Sequence, residues 1–174
     1  MSFQNLQINA DELPRADEIV FQSLAPAYVR QIGVQSLLVW TPILLASLVA
    51  AVLLAVFATP LLGLAPPLIP ALLAALLVPL ALRRARTAGF ALREHDIAFR
   101  YGVLFRKVVV LPFHRVQHVE VASGPLQRRY GLASLKLYTA GASDVDLRID
   151  GLTAERAASL REHVTARAGD AGDG

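Results

Sequence analysis

The sequence contains no cysteine, and a long central stretch of it contains no charge. Without cysteine the chain can form no disulfide framework and no thiolate site, which fits a cytoplasmic location. Asp, Glu, Lys, Arg and His are all missing from residues 31–82, a run of 52 residues. Surface helices of soluble proteins carry a polar stripe, and this run has none. The alternative of a buried helical pair in a soluble protein is therefore disfavoured.

The uncharged stretch predicts a membrane-spanning helical hairpin. About 20 apolar residues in helical form cross a bilayer core, so the stretch is too long for one span and sufficient for two. Helix breakers interrupt it near the middle, in the sequence TPLLG that begins at Thr59 and in the Pro66-Pro67 pair. We predict a hairpin over residues 32–83, with spans at 34–57 and 64–82.

Basic residues flank the hairpin at both ends and are absent from its loop. Arg30 precedes the first span, and Arg83, Arg84 and Arg86 follow the second. Lys and Arg are retained on the cytoplasmic side of a membrane. We therefore expect a multi-pass protein of the cytoplasmic (inner) membrane with both termini in the cytoplasm. The first 30 residues are acidic rather than basic, so we expect no cleavable signal peptide.

The segments outside the hairpin differ in size and charge. Residues 1–31 form a short N-terminal cytoplasmic segment with a net charge of −2, and residues 169–174 are predicted to be a disordered tail. Only residues 87–168 are numerous enough to close a core of their own. Residues 83–168 carry a net charge of +7, placed where an anionic leaflet would lie. A tethered domain meets lipid before nucleic acid, so we expect no nucleic-acid partner.

Alternation with a period of two predicts about six antiparallel strands after the hairpin. An irregularity near Gln117-His118 indicates a bulge, and a helical turn should end at Gly131. The last element is an amphipathic helix that Thr153 can cap. We expect a capped sandwich or partly open barrel. The strands are predicted at 90–93, 97–101, 106–112, 116–121, 135–139 and 145–150, and the apolar face of the helix at Ala157, Leu160, Val164 and Ala168.

Two segments have a distinctive sequence, LPFHRVQ at residues 111–117 and GPLQRRYGL at residues 124–132. With the residues around them, from about 18 to 164, they resemble the bacterial pleckstrin-homology-like (PH-like) membrane proteins of the YdbS type. The resemblance implies an α+β membrane protein, in which a two-helix transmembrane hairpin precedes a strongly bent antiparallel sandwich closed by a C-terminal helix. This order of elements agrees with the one that the periodicity predicts.

No group of residues has the pattern of a catalytic or cofactor site. His114, His118 and Glu120 come closest to a metal cluster, but positions four apart on a strand are separated by about 13 Å. No nucleophile elbow and no glycine-rich phosphate loop is present. We therefore predict a protein that is not an enzyme, with no metal and no cofactor. An enzyme that uses His114 and Glu120 is the weakest of three functional hypotheses, and the other two depend on basic side chains.

Basic side chains are the candidates for binding, since each can meet a lipid phosphate or an acidic patch on a partner. For any single residue, a solvated surface position is the simpler interpretation. The first hypothesis is a PH-like domain that scaffolds or assembles with other membrane proteins, including a larger family member or a second copy. The second is recognition of anionic lipid headgroups. The candidate residues are Arg83, Arg84, Arg86, Arg106, Lys107, Arg115, Arg128 and Arg129.

Overall fold

The computed structural model describes residues 19–57, 65–139 and 145–170. The predicted loop breaker at Thr59 and the predicted tail beyond residue 170 lie outside these ranges. The described elements are β1 (Gln22–Ser23), α1 (Pro26–Phe57), α2 (Ala65–Thr87), β2 (Gly89–Leu92), β3 (Asp96–Tyr101), β4 (Lys107–Pro112), a 3₁₀ turn (Phe113–Arg115), β5 (Val116–Ala122), α3 (Pro125–Arg129), β6 (Leu132–Thr139), β7 (Leu147–Thr153) and α4 (Ala154–Asp170).

The helices α1 and α2 are long and apolar enough to cross a membrane, and they pack against each other. Only 6% of the most apolar window of each helix is buried within the chain. The core helices of a soluble protein would be mostly buried, so the exposed leucines and valines of this hairpin require a lipid environment. The predicted transmembrane hairpin is therefore confirmed.

The helix α1 begins at Pro26, about two turns before the predicted span, because its first residues are part of the soluble domain. Leu24 is buried in the domain core, and Tyr28 packs against that core. The amide of Ala25 donates a hydrogen bond to the carbonyl oxygen of Gly151 at 2.9 Å. Ahead of the helix, β1 pairs with β2. The segment before the hairpin thus completes the domain that follows it.

Two antiparallel sheets form the soluble domain, in the orders β1-β2-β3-β4 and β5-β6-β7. All six predicted strands are present. The predicted bulge is confirmed, since the register of β5 on β6 shifts between Val116 and His118. The strand β7 continues to Thr153, beyond its predicted end, because Leu152 and Thr153 pair with Ala133 and Leu132 of β6, and Gly151 within it has a positive φ of 75°.

The core lies between the two sheets and is covered by α4. Ile97, Leu135 and Ile149 are fully buried in it. The predicted face of α4 lies against it, with Ala157 and Val164 fully buried. The Thr153 hydroxyl caps this helix by accepting a hydrogen bond from the Arg156 amide at 3.2 Å. The predicted fold class, a helical hairpin followed by an antiparallel sandwich closed by a C-terminal helix, is confirmed.

Replacing Gly151 by alanine is expected to loosen the attachment of α1 to the domain. A Cβ atom at this position would collide with the ring of Tyr28. The left-handed backbone conformation adds about 1–2 kcal/mol for any residue other than glycine. Thermal unfolding of the full-length protein in detergent micelles should therefore show a loss of stability greater than this backbone cost.

Gly131→Ala is the matched control for Gly151→Ala. Gly131 also has a positive φ, of 65°, but its added Cβ would have no atom within 4 Å. The stability of this variant should fall only by the backbone contribution of about 1–2 kcal/mol. Equal losses in the two variants would contradict a tight contact between Tyr28 and Gly151.

Candidate functional site

Two neighbouring cavities lie where the hairpin meets the sheets, and both are lined by Ala88 and Gly102. The smaller one, with a volume of ≈ 180 Å³, is called the basic pocket. The larger one, with a volume of ≈ 540 Å³, is called the junction cleft. The residues around the basic pocket are Phe21, Gln22, Ser23, Arg86, Thr87, Ala88, Gly89, Arg100, Gly102 and Arg106.

Three arginines from three different elements line the basic pocket. Arg86 lies in the last turn of α2, Arg100 in the middle of β3, and Arg106 in the turn before β4. The hydroxyl of Thr87 donates to the Arg83 carbonyl oxygen within α2 at 3.0 Å and lies 3.4 Å from the Gly102 carbonyl oxygen of the turn. The end of the second span and the β3–β4 turn therefore lie side by side.

The charge of the basic pocket is unbalanced. Among the residues that the structure describes, no acidic residue lines it, and none of its three guanidinium groups forms an ion pair. The guanidinium carbon of Arg100 lies 4.5 Å from the ring centroid of Phe21, a cation–π contact that leaves its charge in place. Guanidinium groups match phosphate oxygens with paired hydrogen bonds. The pocket is complementary to a phosphate-like anion.

The β3–β4 turn carries an exposed apolar pair, Leu104 and Phe105, called the apolar tip. Their side chains are 77% and 81% exposed. The turn starts at Gly102, whose φ of 102° lets the chain reverse closely over the Phe105 carbonyl. Arg106 and Lys107 follow directly. Exposed apolar side chains beside basic ones are typical of segments that lie at a membrane interface.

The junction cleft separates the base of the hairpin from the sheets. One wall consists of α1 and α2, and the opposite wall of β3, β4 and the start of β7. Its interior is apolar, while its charged groups are two arginines and two carboxylates. Arg148 pairs with Asp150 at 2.8 Å, whereas Arg84 has no ion pair among the described residues. The cleft is lined by Leu24, Tyr28, Ile32, Ala81, Arg84, Ala85, Ala88, Phe99, Tyr101, Gly102, Val109, Asp146, Leu147, Arg148 and Asp150.

Asp146, at the edge of the junction cleft, is held by Thr139. The hydroxyl and the amide of Thr139 donate to the carboxylate at 2.6 Å and 2.7 Å. These hydrogen bonds lower the pKa of Asp146, and the nearby charge of Arg115 acts in the same direction. The carboxylate therefore stays ionised and ties the end of β6 to the start of β7.

The predicted binding residues fall into separate groups. Arg86 and Arg106 come together in the basic pocket, while Arg84 lines the junction cleft. Arg83 and Lys107 are exposed and line neither cavity. The same is true of three further exposed arginines, which lie on the 3₁₀ turn and on α3: Arg115, Arg128 and Arg129.

Sequence reasoning missed several residues of these cavities. Arg100 lies in the strand predicted at residues 97–101 and was not a candidate for binding, although it is the one charged residue of that strand. The apolar tip carried a signal too, because two large apolar residues in a turn begun by glycine are unusual at a surface. Tyr28 carried no such signal, since its contact with Gly151 depends on the tertiary fold.

The residues of the metal and enzyme hypotheses have other partners. Glu120 accepts hydrogen bonds from the Lys136 ammonium group at 3.0 Å and from the Tyr138 hydroxyl at 2.9 Å. These two bonds lower the pKa of Glu120. The ring of His118 lies on that of Tyr138. Among the residues that the structure describes, no group of three His, Asp or Glu side chains is arranged to hold a metal ion.

Comparisons with known proteins place the chain in a membrane-protein setting. The family model described as "Bacterial PH domain" matches residues 27–168, which includes the hairpin. The UPF0699 transmembrane protein YdbS of Bacillus subtilis (strain 168) is 34% identical over 76 residues, which are 44% of this chain and 46% of that protein. The match thus spans about half the length of this relative. No solved structure matches the chain.

Removing the charge of Asp146 is expected to destabilise the protein at neutral pH. The folded pKa is lowered, so the carboxylate contributes stability above its unfolded pKa and loses it as the pH falls through the folded pKa. Asp146→Asn should therefore melt at a lower temperature than the wild type at neutral pH, and this difference should shrink in acid. A difference that is constant over the whole pH range would contradict this role of the charge.

Proposed function

We propose, since this chain belongs to the bacterial PH domain family, that it is a membrane-anchored interaction module that recognises anionic lipid headgroups. It is a transmembrane protein with a PH-like domain. The hairpin loop faces outward and both chain ends face the cytoplasm, as the flanking arginines favour. The module is not an enzyme and lies at the inner surface of the cytoplasmic membrane.

The convergence of Arg86, Arg100 and Arg106 carries this proposal. Isolated surface arginines contribute little to binding free energy, but three arginines that line one cavity, with no acidic residue among its described lining, favour an anion. Arg86 follows the predicted end of the second span by four residues, a rise of about 6 Å along a helix. This is within the Debye length of about 8 Å at physiological ionic strength, so the pocket lies in the field of an anionic leaflet.

The apolar tip supports the same orientation. Because the β3–β4 turn lies beside the end of α2, Leu104 and Phe105 are placed near the bilayer surface. Burying a leucine or phenylalanine side chain stabilises by about 1.5–3 kcal/mol. Insertion of the tip would thus bring the basic pocket to the level of the headgroups.

Insertion of the tip can be measured by fluorescence in the full-length protein. Trp40 is the single tryptophan, so Phe105→Trp on a Trp40→Phe background places one reporter at the tip. In nanodiscs with bromine on the lipid chains, we expect quenching that rises with the fraction of anionic phospholipid. Arg86→Gln with Arg106→Gln should weaken the interaction about 30-fold, since each basic residue near an anionic surface contributes about 1 kcal/mol.

The matched control is Arg128→Gln with Arg129→Gln, which removes the same charge from α3, outside both cavities. This pair should leave the quenching curve close to that of the parent protein. Equal shifts in both pairs would show a general charge effect. Quenching that is independent of lipid charge would overturn recognition of anionic headgroups.

A second candidate function, assembly with other membrane proteins, is favoured by the outer edge of β4. In the described part of the chain, β4 pairs only with β3. Val108 and Val110 are 42% and 43% exposed on it. A free strand edge with apolar side chains can accept a strand from a partner. A larger family member or a second copy of this chain would fit this edge.

Assembly through β4 can be tested by thiol crosslinking, because the chain has no cysteine of its own. Val110→Cys should form disulfide-linked dimers, or links to a defined membrane protein, when native membranes are oxidised. Ser159→Cys, on the exposed side of α4, provides the control thiol. Links at similar yield from both positions, or from neither, would argue against β4 as the assembly surface.

A further inference from the structure

The junction cleft has the properties of a site for a membrane lipid. We propose that it binds one acyl chain of a phosphate-bearing lipid, with the phosphate at Arg84. Its volume of ≈ 540 Å³ falls in the range of about 300–1,000 Å³ typical of ligand sites. This inference is independent of headgroup recognition by the basic pocket, which is lined by a different set of arginines.

The interior of the cleft suits a hydrocarbon chain. Phe99 and Val109 of the first sheet and Leu147 of the second face Ile32 and Ala85 of the hairpin across it. Water in such a space would find few polar partners. Exposing a methylene group to water costs about 0.8 kcal/mol, and an acyl chain that moves from the bilayer into this cleft avoids that cost. An elongated apolar ligand is therefore favoured over a polar metabolite.

The position of the cleft indicates that an acyl chain would enter it from the membrane. Ile32 and Ala81 belong to the two helices whose apolar surfaces continue into the membrane, and both line the cleft. Small side chains, at Ala81 and Ala85 of α2 and at Ala88 just after it, leave the space open on that wall. The lipid-facing surface of the hairpin is thus continuous with the cleft, and an acyl chain can enter the cleft without crossing water.

The charges at the cleft select the headgroup. Arg148 pairs with Asp150 at 2.8 Å, and the ionised carboxylate of Asp146 is bound by Thr139 on the sheet side, with the charge of Arg115 nearby. The guanidinium of Arg84 forms no hydrogen bond or ion pair with any residue in the described ranges. Arg84 is therefore a cation without an ion pair on the hairpin wall, across the cleft from the carboxylate that Thr139 binds, and it fits the phosphate of a lipid.

Retention of lipid by the purified protein tests the inference. Full-length protein is exchanged into detergent with a single phosphatidylglycerol species, washed, and analysed by native mass spectrometry. We expect one retained lipid per chain. Ala81→Phe, which fills the cleft, and Arg84→Gln, which removes its free cation, should each lower the retained fraction at least fivefold.

Two matched controls lie on the same helix. Ala75→Phe adds the same ring to α2 at an exposed position outside the cleft, and Arg83→Gln removes the neighbouring charge, which does not line it. Both should retain lipid as the wild type does. Equal retention in all four variants would overturn the site and show lipid bound to the outer surface of the hairpin.

Thermal unfolding checks that Ala81→Phe is folded, and Arg84→Gln, at an exposed position, tests the site without a change in packing.

The two parts of the ligand are separated by changing the probe. Diacylglycerol with the same chains lacks the phosphate, and its retention at the same level would overturn the role of Arg84. Inorganic phosphate lacks the chain, and displacement of the lipid by phosphate alone would overturn the role of the apolar interior. Arg86→Gln with Arg106→Gln should leave retention unchanged, so failure of headgroup recognition at the basic pocket is distinguishable from failure here.

Discussion

The contact of Tyr28 with Gly151 joins the membrane hairpin to the soluble domain. The ring of Tyr28 occupies the space that a side chain at position 151 would need, and the Ala25 amide bonds to the Gly151 carbonyl oxygen one turn earlier. Three residues before Ala25, the Gln22 side chain accepts a hydrogen bond from Arg156 of α4, whose guanidinium group also lies over the Phe90 ring. The chain before the first span is thereby held on two sheets and one helix.

This attachment determines how the domain meets the bilayer. A domain linked only through the end of α2 could rotate about that connection. Attachment of both α1 and α2 limits such motion and keeps the β3–β4 turn beside the end of α2. The same arrangement leaves a gap between the helices and the sheets, which is the junction cleft. Tyr28 of this contact lines the junction cleft, while the basic pocket lies on the other side of Ala88 and Gly102.

The distribution of charge illustrates why position matters more than number. The soluble part is basic, but single exposed arginines contribute little binding free energy because water and salt screen their charge. Arg128 and Arg129 are adjacent in sequence yet line neither cavity. Arg86, Arg100 and Arg106 are separated in sequence, but all three line one cavity. Arg84 is exposed as well, and it differs from the other exposed arginines because it lines the junction cleft.

The sequence by itself determined the elements of this protein. Hydropathy predicted the hairpin, because a bilayer core demands about 20 apolar residues from each helix. Alternation predicted the six main strands, and the bulge in β5 and the face of α4 also followed from local periodicity. These features depend on neighbours in the chain, so a single sequence suffices to predict them.

The tertiary structure decided which elements meet. The start of α1 at Pro26, its contact with Gly151 and the grouping of Arg86 with Arg100 and Arg106 all join residues far apart in sequence. No periodicity encodes such contacts, because they arise when the hairpin packs on the open side of the sandwich. The candidate residues were therefore recognisable as basic, but which of them line a cavity was decided by the fold.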